Sequence, residues 1–417
     1  MRIIKSRCNR NSTERSEFFS ERFFYDSFYI MNRPLRFVLI FSATICASVS
    51  YSQSGGSGIL NTVNTALPFL RIPPDARSGA MGDVGIAISP DANSMFFNPA
   101  KIPFNKKPCS VSVSYVPWIR ELSKDIYLAH AGGYFKLDDK QALSASVRRF
   151  YMGEKVLTNS SGVQILKFKL REIAIDGGYS RKLSENLGIG ISLRFISTNV
   201  PTMYILNTKK VIHSYAAAGD VAVFYRKEVT VCRKNLLIAW GLSMSNIGSK
   251  ISYTDTAQKE FLPANLGIGG AFTTNFSDPH QISIALDLNK LLVPTPDSSG
   301  GHLDKSVLSA IISSFYDAPG GAAEEFHEIN YSVGAEYWYD QQFAFRAGYF
   351  YEHGTKGARQ FVTVGLGLKY HSLDMGFSYL VPTGAQRHPL DNTLRFTVMF
   401  EFDSHLEHAP EWYEKAD

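Results

Sequence analysis

The chain has 417 residues, of which 45% are hydrophobic and only 19% charged, with 29 Phe and 21 Tyr; that apolar content suits either a large core or a surface that faces lipid. Its net charge of +5 does not mark a nucleic-acid surface, because no basic run carries interleaved aromatics and the leader alone could hold the excess. The 10 His and 4 Cys are scattered, with no His-Glu-x-x-His and no metal-ligand spacing, so neither a metal centre nor a cofactor is implied.

The chain opens on a delivery signal. Met31-Asn-Arg-Pro-Leu-Arg36 followed by the apolar run 37–47 reads as the basic and hydrophobic regions of a secretory signal peptide, here taken as residues 31–52. Small Ser50 and Ser52 suit cleavage before Gln53, whereas bulky Ile45 disfavours a lipoprotein site at Cys46. Residues 1–30 read as an extension from an upstream start codon. No later segment offers the roughly 18 or more uncharged apolar residues of a membrane helix.

Residues 53–108 form a different kind of stretch. Gly, Asp, Asn and Pro recur at turn spacing from Ser78 to Lys101, without a helical period, and Phe96-Phe97 is the sole short apolar pair. Such a piece cannot build its own core. It is expected to sit as an N-terminal hatch in or under the barrel that follows, with Arg77 paired to a carboxylate of the wall, Gly79 and Gly82 supplying turns, and Asn98 capping the approach to the first strand.

From Cys109 the pattern changes to alternation. Leu187, Ile189, Ile191, Leu193 and Phe195 alternate with Gly188, Gly190, Ser192 and Arg194; Leu394 to Phe402 and Ile282 to Leu288 repeat the device. A period of two with one apolar face predicts strands that show lipid one side and a polar interior the other. Fourteen such segments are predicted, at 110–118, 126–136, 140–151, 168–180, 186–197, 216–229, 235–246, 264–276, 279–290, 328–339, 342–352, 360–371, 374–382 and 392–402. Short connections at 138–139, 184–185, 277–278, 339–340 and 372–373 alternate with long ones at 152–167, 198–215, 247–263 and 291–327. The expected fold is therefore an all-β, 14-stranded antiparallel outer-membrane barrel over 109–403, with long loops outside, both termini in the periplasm and a periplasmic tail at 404–417. A soluble barrel would need a polar outer face.

Candidate sites are few. Gly241-Leu-Ser243 fails the nucleophile-elbow pattern, and Gly188-Ile-Gly190 and Gly365-Leu-Gly367 lie mid-strand, where glycine lets the hatch approach the wall. No catalysis is expected. In the long connection after the ninth strand, Leu303, Val307, Leu308, Ile311, Ile312 and Phe315 recur at helical spacing opposite Asp304, Lys305, Ser306, Ser309 and Ser313, which predicts an amphipathic helix outside the membrane. Its apolar stripe either folds over the barrel mouth or docks on a partner. The stretches 155–164 and 201–213 are secondary contact candidates. Cys109 and Cys232 fall at the periplasmic rim about five strands apart, beyond the roughly 4.4–6.8 Å Cα separation of a disulfide, and are expected to be free thiols.

The runs Pro74-Asp75-Ala-Arg77-Ser-Gly79-Ala-Met81-Gly82-Asp83 and Asn98-Pro99-Ala100-Lys101 resemble the hatch motifs of the PorV family within the FadL-like barrels. Asn-Pro-Ala is shared across those barrels, whereas the Pro-Asp-Ala-Arg-x-Gly-Ala-Met-Gly-Asp run is more specific; Pro73 and Phe97 depart from the family pattern. The resemblance implies fourteen strands, an N-terminal hatch and membership of the type IX secretion system of Bacteroidetes. It further implies a receptor and shuttle that works with a giant translocon barrel, binds the C-terminal signal domains of secreted cargo and hands them to a PorU-like attachment complex. The alternative it leaves open is a FadL-type transporter of hydrophobic small molecules. Membrane lipid is the remaining expected contact, and nucleic acid is not expected.

Overall fold

The computed structural model describes residues 61–119, 123–158, 161–201, 211–231, 234–252, 258–296, 301–383 and 393–403. The predicted extension, the signal peptide, Cys232 and the 404–417 tail lie outside these residues.

Fourteen strands, each hydrogen-bonded to its sequence neighbours, close into one antiparallel barrel through a seam between the first and the last. They are β1 (Cys109–Pro117), β2 (Ile126–Lys136), β3 (Gln141–Thr158), β4 (Gln164–Lys182), β5 (Leu187–Pro201), β6 (Val211–Val231) and β7 (Lys234–Gly248). The second half is β8 (Asn265–Ser277), β9 (His280–Leu291), β10 (Ile329–Tyr339), β11 (Phe343–Tyr351), β12 (Gln360–Tyr370), β13 (Leu373–Pro382) and β14 (Leu394–Phe402). Across the seam Cys109 faces Phe402 and Val113 faces Val398. Closure leaves no unpaired sheet edge, which is what lets a sheet stand in lipid.

Alternation along each strand decides what the wall shows. On β1 the serines 110, 112 and 114 are buried, while Val111, Val113 and Tyr115 are 44%, 61% and 47% exposed. On β5 Leu193 points outward and its neighbour Arg194 is buried in the interior. Aromatic pairs bracket this apolar wall: outward-facing Tyr331 lies opposite Tyr351, and Tyr339 at the other end of β10 lies opposite Phe343. At ordinary strand rise and tilt the two rows stand about 20 Å apart along the barrel axis, the height of a hydrocarbon belt with its aromatic girdles.

The predicted segments all coincide with strands, but four were drawn too short. β3 to β6 continue past the upper girdle, so the connection expected at 152–167 shrinks to 159–163 and that expected at 198–215 to 202–210. Half of 155–164 is therefore paired ribbon: Glu154 to Thr158 pair with Gln164 to Lys169. The long connections that remain are 249–264 and 292–328; the latter holds a 3-10 turn (Gly301–Asp304), α3 (Val307–Ser313) and α4 (Ala322–His327).

The stretch before β1 is an inner segment with short helices that its turn-rich sequence does not announce. It contains a 3-10 turn (Pro68–Arg71), α1 (Ala76–Ala80), α2 (Ser94–Phe97) and a second 3-10 turn (Pro99–Phe104). α1 packs on β11 to β14 and the Pro99–Phe104 turn on β3 to β6, so the segment spans opposite walls of the lumen. Asn61, the first described residue, bonds Thr355 O at 3.1 Å and Glu324 at 3.1 Å, both at the long-connection end. An even strand number places the ends of β1 and β14 together, but the inner segment runs the length of the lumen and starts at the opposite end from Cys109. Cys109 is a free thiol, as expected.

Candidate functional site

The Pro-Asp-Ala-Arg run is folded by its own side chains and then bolted to the wall. Asp75 caps α1, accepting from Ser78 N–H at 2.7 Å, and buried Pro74 leads into it. Ala76 N–H donates to Thr397 of β14 at 2.8 Å. At the next residue, the Arg77 guanidinium makes two bonds to Glu336 of β10, at 2.9 and 2.7 Å, and one to Asp91 at 3.1 Å. Glu336 also accepts from Arg346 of β11 at 2.7 Å, so one carboxylate holds two arginines. The flanking carboxylates hold the Arg77 guanidinium well above its usual pKa despite burial.

The glycines of the run have different tasks. Gly79 lies inside α1, where a Cβ would collide with the Arg395 side chain, rather than in a turn as expected. Gly82 does make a turn, with φ +69°, and its N–H donates to Thr363 at 2.8 Å. Fully buried Met81 sits against Gly334, where an added Cβ would come 2.5 Å from the Met81 carbonyl oxygen. Asp83 accepts from Arg395 of β14 at 2.7 Å.

Asn98-Pro99-Ala100 is the second anchor. Asn98 caps the Pro99–Phe104 turn, accepting from Ala100 N–H at 3.0 Å, and its amide reaches Val223 O of β6 at 3.1 Å; it does not cap the approach to β1. A Cβ on Gly190 would stand 2.6 Å from Ala100 N, so this wall glycine admits the segment; Gly188 and Gly365 do likewise, while Gly367 makes room for Arg346.

Between the anchors, the turn 85–88 is gripped from both sides. Asp287 of β9 accepts from Gly85 and Ile86 N–H at 2.7 and 2.9 Å, and Lys101 Nζ donates to Gly85 O at 2.6 Å. Lys101 is buried without a contacting carboxylate, and burial pushes its ammonium down to about 8 from 10.5, with Asp91 and Asp287 opposing the shift and Arg77 adding to it. A folded-state pKa below the unfolded one means that charge retention costs stability at neutral pH. Stability should therefore rise by about 2–3 kcal/mol between pH 8 and 10 in wild type and stay flatter in Lys101→Met, as read by urea unfolding in detergent.

The outer connection splits the predicted apolar stripe. α3 is two turns long, capped by Ser306 through Ser309 N–H at 3.3 Å. Leu303 and Val307 pack inward on Phe261, Val293 and Ala310, and Ile311 is half-buried. Ser313, expected on the wet face, is buried and bonds Lys305 and Asp317. Leu308, Ile312 and Phe315 face outward instead, 72%, 63% and 49% exposed, alongside Tyr316 and Phe326. Lys290 and Lys356 pin this connection through Glu324, Glu325 and Glu328 at 2.5–2.9 Å, so the apolar cluster stands on a fixed base.

Sequence reading picked out Arg77 but not the wall residues that hold the inner segment. Glu336, Asp287 and Arg395 all occupy inward positions of alternating strands, and a charge at such a position is the signal that could have found them. Among the described residues no group of three or more His, Cys, Asp or Glu is placed to hold a metal.

An apolar belt with aromatic girdles around a closed, internally bonded antiparallel barrel defines an integral outer-membrane β-barrel protein,. Residues 58–298 match the family described as "Type IX secretion system protein PorV". The chain belongs to the PorV family, and so to a family of the type IX secretion machinery. No curated protein matches it. Among solved structures it is similar to the toluene transporter TbuX of Ralstonia pickettii, at 13% identity over 82% of this chain and 99% of that one, TM-score 0.44. It is also similar to the toluene transporter TodX of Pseudomonas putida, at 11% identity over 83% and 100%, TM-score 0.46. A FadL homologue of Pseudomonas aeruginosa matches at 11% identity over 82% and 99%, TM-score 0.40.

Proposed function

We propose that this barrel is a cargo receptor and shuttle of type IX secretion: it takes the C-terminal signal domain of secreted cargo at the giant translocon barrel and delivers it to a PorU-like attachment complex. The observation that carries the reading, given the family, is the outward apolar cluster Leu308, Ile312 and Phe315 on a connection pinned by ion pairs. Exposed apolar surface on a fixed scaffold outside the membrane belt is a protein-docking feature. In this reading the long connections face the cell exterior, the short turns and the 404–417 tail face the periplasm, and residues 74–83 and 98–100 keep the lumen filled. A lumen crossed by paired charges favours a receptor over an open pore, and no chemistry is assigned to the chain.

Transport of a hydrophobic small molecule through the lumen is the second reading, favoured by a cavity of about 520 Å³ that Phe96 and Phe97 help to line. An affinity pulldown of the tagged protein from native outer membranes separates the two. Recovery of a giant barrel with secreted proteins that share a C-terminal domain is the expected result. A lone barrel carrying a co-purified hydrophobe would replace the shuttle with the transporter.

A further inference from the structure

The cavity of about 520 Å³ lies at the long-connection end of the lumen, between residues 62–73 of the inner segment and the walls. Its volume is that of a small-molecule site. Its charged lining is balanced almost everywhere: Arg395 is bound to Asp83, Arg359 to Glu352 at 2.7 and 2.9 Å, Lys356 to Glu324 and Glu328, and Arg148 and Arg194 to Asp176. Two groups stand outside this pairing: Asp287, which accepts only the Gly85 and Ile86 N–H, and Arg71. Arg71 closes the Pro68–Arg71 turn with its side chain in the cavity, and among the described residues no carboxylate pairs with its guanidinium and none donates or accepts a bond there. The acid that acts on it, Glu352, is already held by both arms of Arg359, and Arg359 repels it.

We infer that Arg71 and Arg359 form a binding site for a carboxylate or phosphate group in the outer half of the lumen. The fork of a guanidinium matches either oxyanion through two parallel N–H bonds. An anion seated there pairs the free fork and relieves the repulsion between the two arginines. Burial together with Arg359 pushes the Arg71 pKa down to about 10, the mark of a cation that lacks a counter-charge. The neighbouring walls are aromatic as well as cationic, with Phe69, Trp118 and Phe350 in the lining, so a ligand with an apolar part beside its charged group fits without leaving a buried polar atom unpaired. This inference does not depend on the shuttle reading, since it concerns only what occupies the lumen.

Trp118 lies in the cavity lining and reports occupancy by its fluorescence. The full-length processed protein in detergent would be titrated with inorganic phosphate and with acetate, and in a second arm with phosphatidylcholine vesicles with and without phosphatidylglycerol. Saturable change in wild type, absent in Trp118→Phe and about tenfold weaker in Arg71→Gln, is expected from loss of one charge-assisted pair, with Arg71→Lys intermediate. Saturation by phosphate or acetate identifies a free anion as ligand; saturation only by the anionic vesicles identifies a lipid headgroup; both support the site. No saturable change in either arm, or equal affinity in Arg71→Gln and wild type with the barrel still heat-modifiable on gels, overturns it. Should Arg71→Gln fail to fold, equal affinity in Arg71→Lys, Arg359→Lys and wild type overturns it in the same way.

Discussion

Replacing Glu336 by Gln is expected to destabilise the barrel by about 3–5 kcal/mol, because it strips the shared carboxylate from two arginines at once, leaving buried Arg346 without a counter-charge and Arg77 with Asp91 alone,. Arg77→Ala should cost less, about 2–3 kcal/mol, since Glu336 keeps Arg346 at 2.7 Å and the other groups that lose a partner are Asp91 and the solvent-facing Ser89,. The order of the two effects is the informative quantity. Ordinary loss of one ion pair would make them equal; a carboxylate held by two cations makes the acid the costlier loss. The combined Arg77→Ala, Glu336→Gln variant should fall well short of the sum, as groups in one network do. Urea unfolding in detergent gives all three values. If Arg77→Ala left both stability and secretion unchanged, the inner segment would not be locked to β10 through this residue.

Leu308→Asp together with Ile312→Asp is expected to remove cargo capture, at least about a hundredfold in pulldown yield, without altering barrel stability. Both side chains are more than half exposed, so two carboxylates there remain in water in the free protein and become buried only against a partner, at about 1–3 kcal/mol or more each. Val307→Asp provides the contrast, because Val307 packs on the Phe261, Val293 and Ala310 cluster and its replacement should loosen the connection itself. Capture that survives the Leu308 and Ile312 changes would place the docking surface elsewhere.

The wall was legible because lipid imposes a strict rule: wherever the chain crosses the belt, residues such as Leu193 and Arg194 must alternate, and the pattern survives in every strand. Beyond the girdle that rule lapses. The upper part of β3, Gly-Glu-Lys-Val-Leu-Thr at 153–158, is as much a strand as the rest, yet water on both faces leaves no alternation to read. The helices of the inner segment escaped for another reason, since α1 and α2 span five and four residues, too few to show a period. The outer helix was found but its facing was not. Periodicity shows that Leu308 and Ile312 share a face; it does not show that small Ala310 and Ser313, rather than that apolar face, turn inward on the rest of the connections. Arg77 pointed to a carboxylate, but the one it meets lies 259 residues on, and only the closed barrel brings β10 to it.

The seam also ties the closure of the wall to its filling. β14 is the last strand to be made, yet it carries Thr397, which takes the Ala76 N–H, and Arg395, which holds Asp83, while Ser114 on β1 bonds Thr397 at 2.8 Å. The residues that close the wall are therefore also residues that hold its filling, so the seam and the seat of α1 share their bonds. A chain shortened from the C-terminus by β14 would lose, along with its closure, the Thr397 and Arg395 bonds that fix α1 and Asp83.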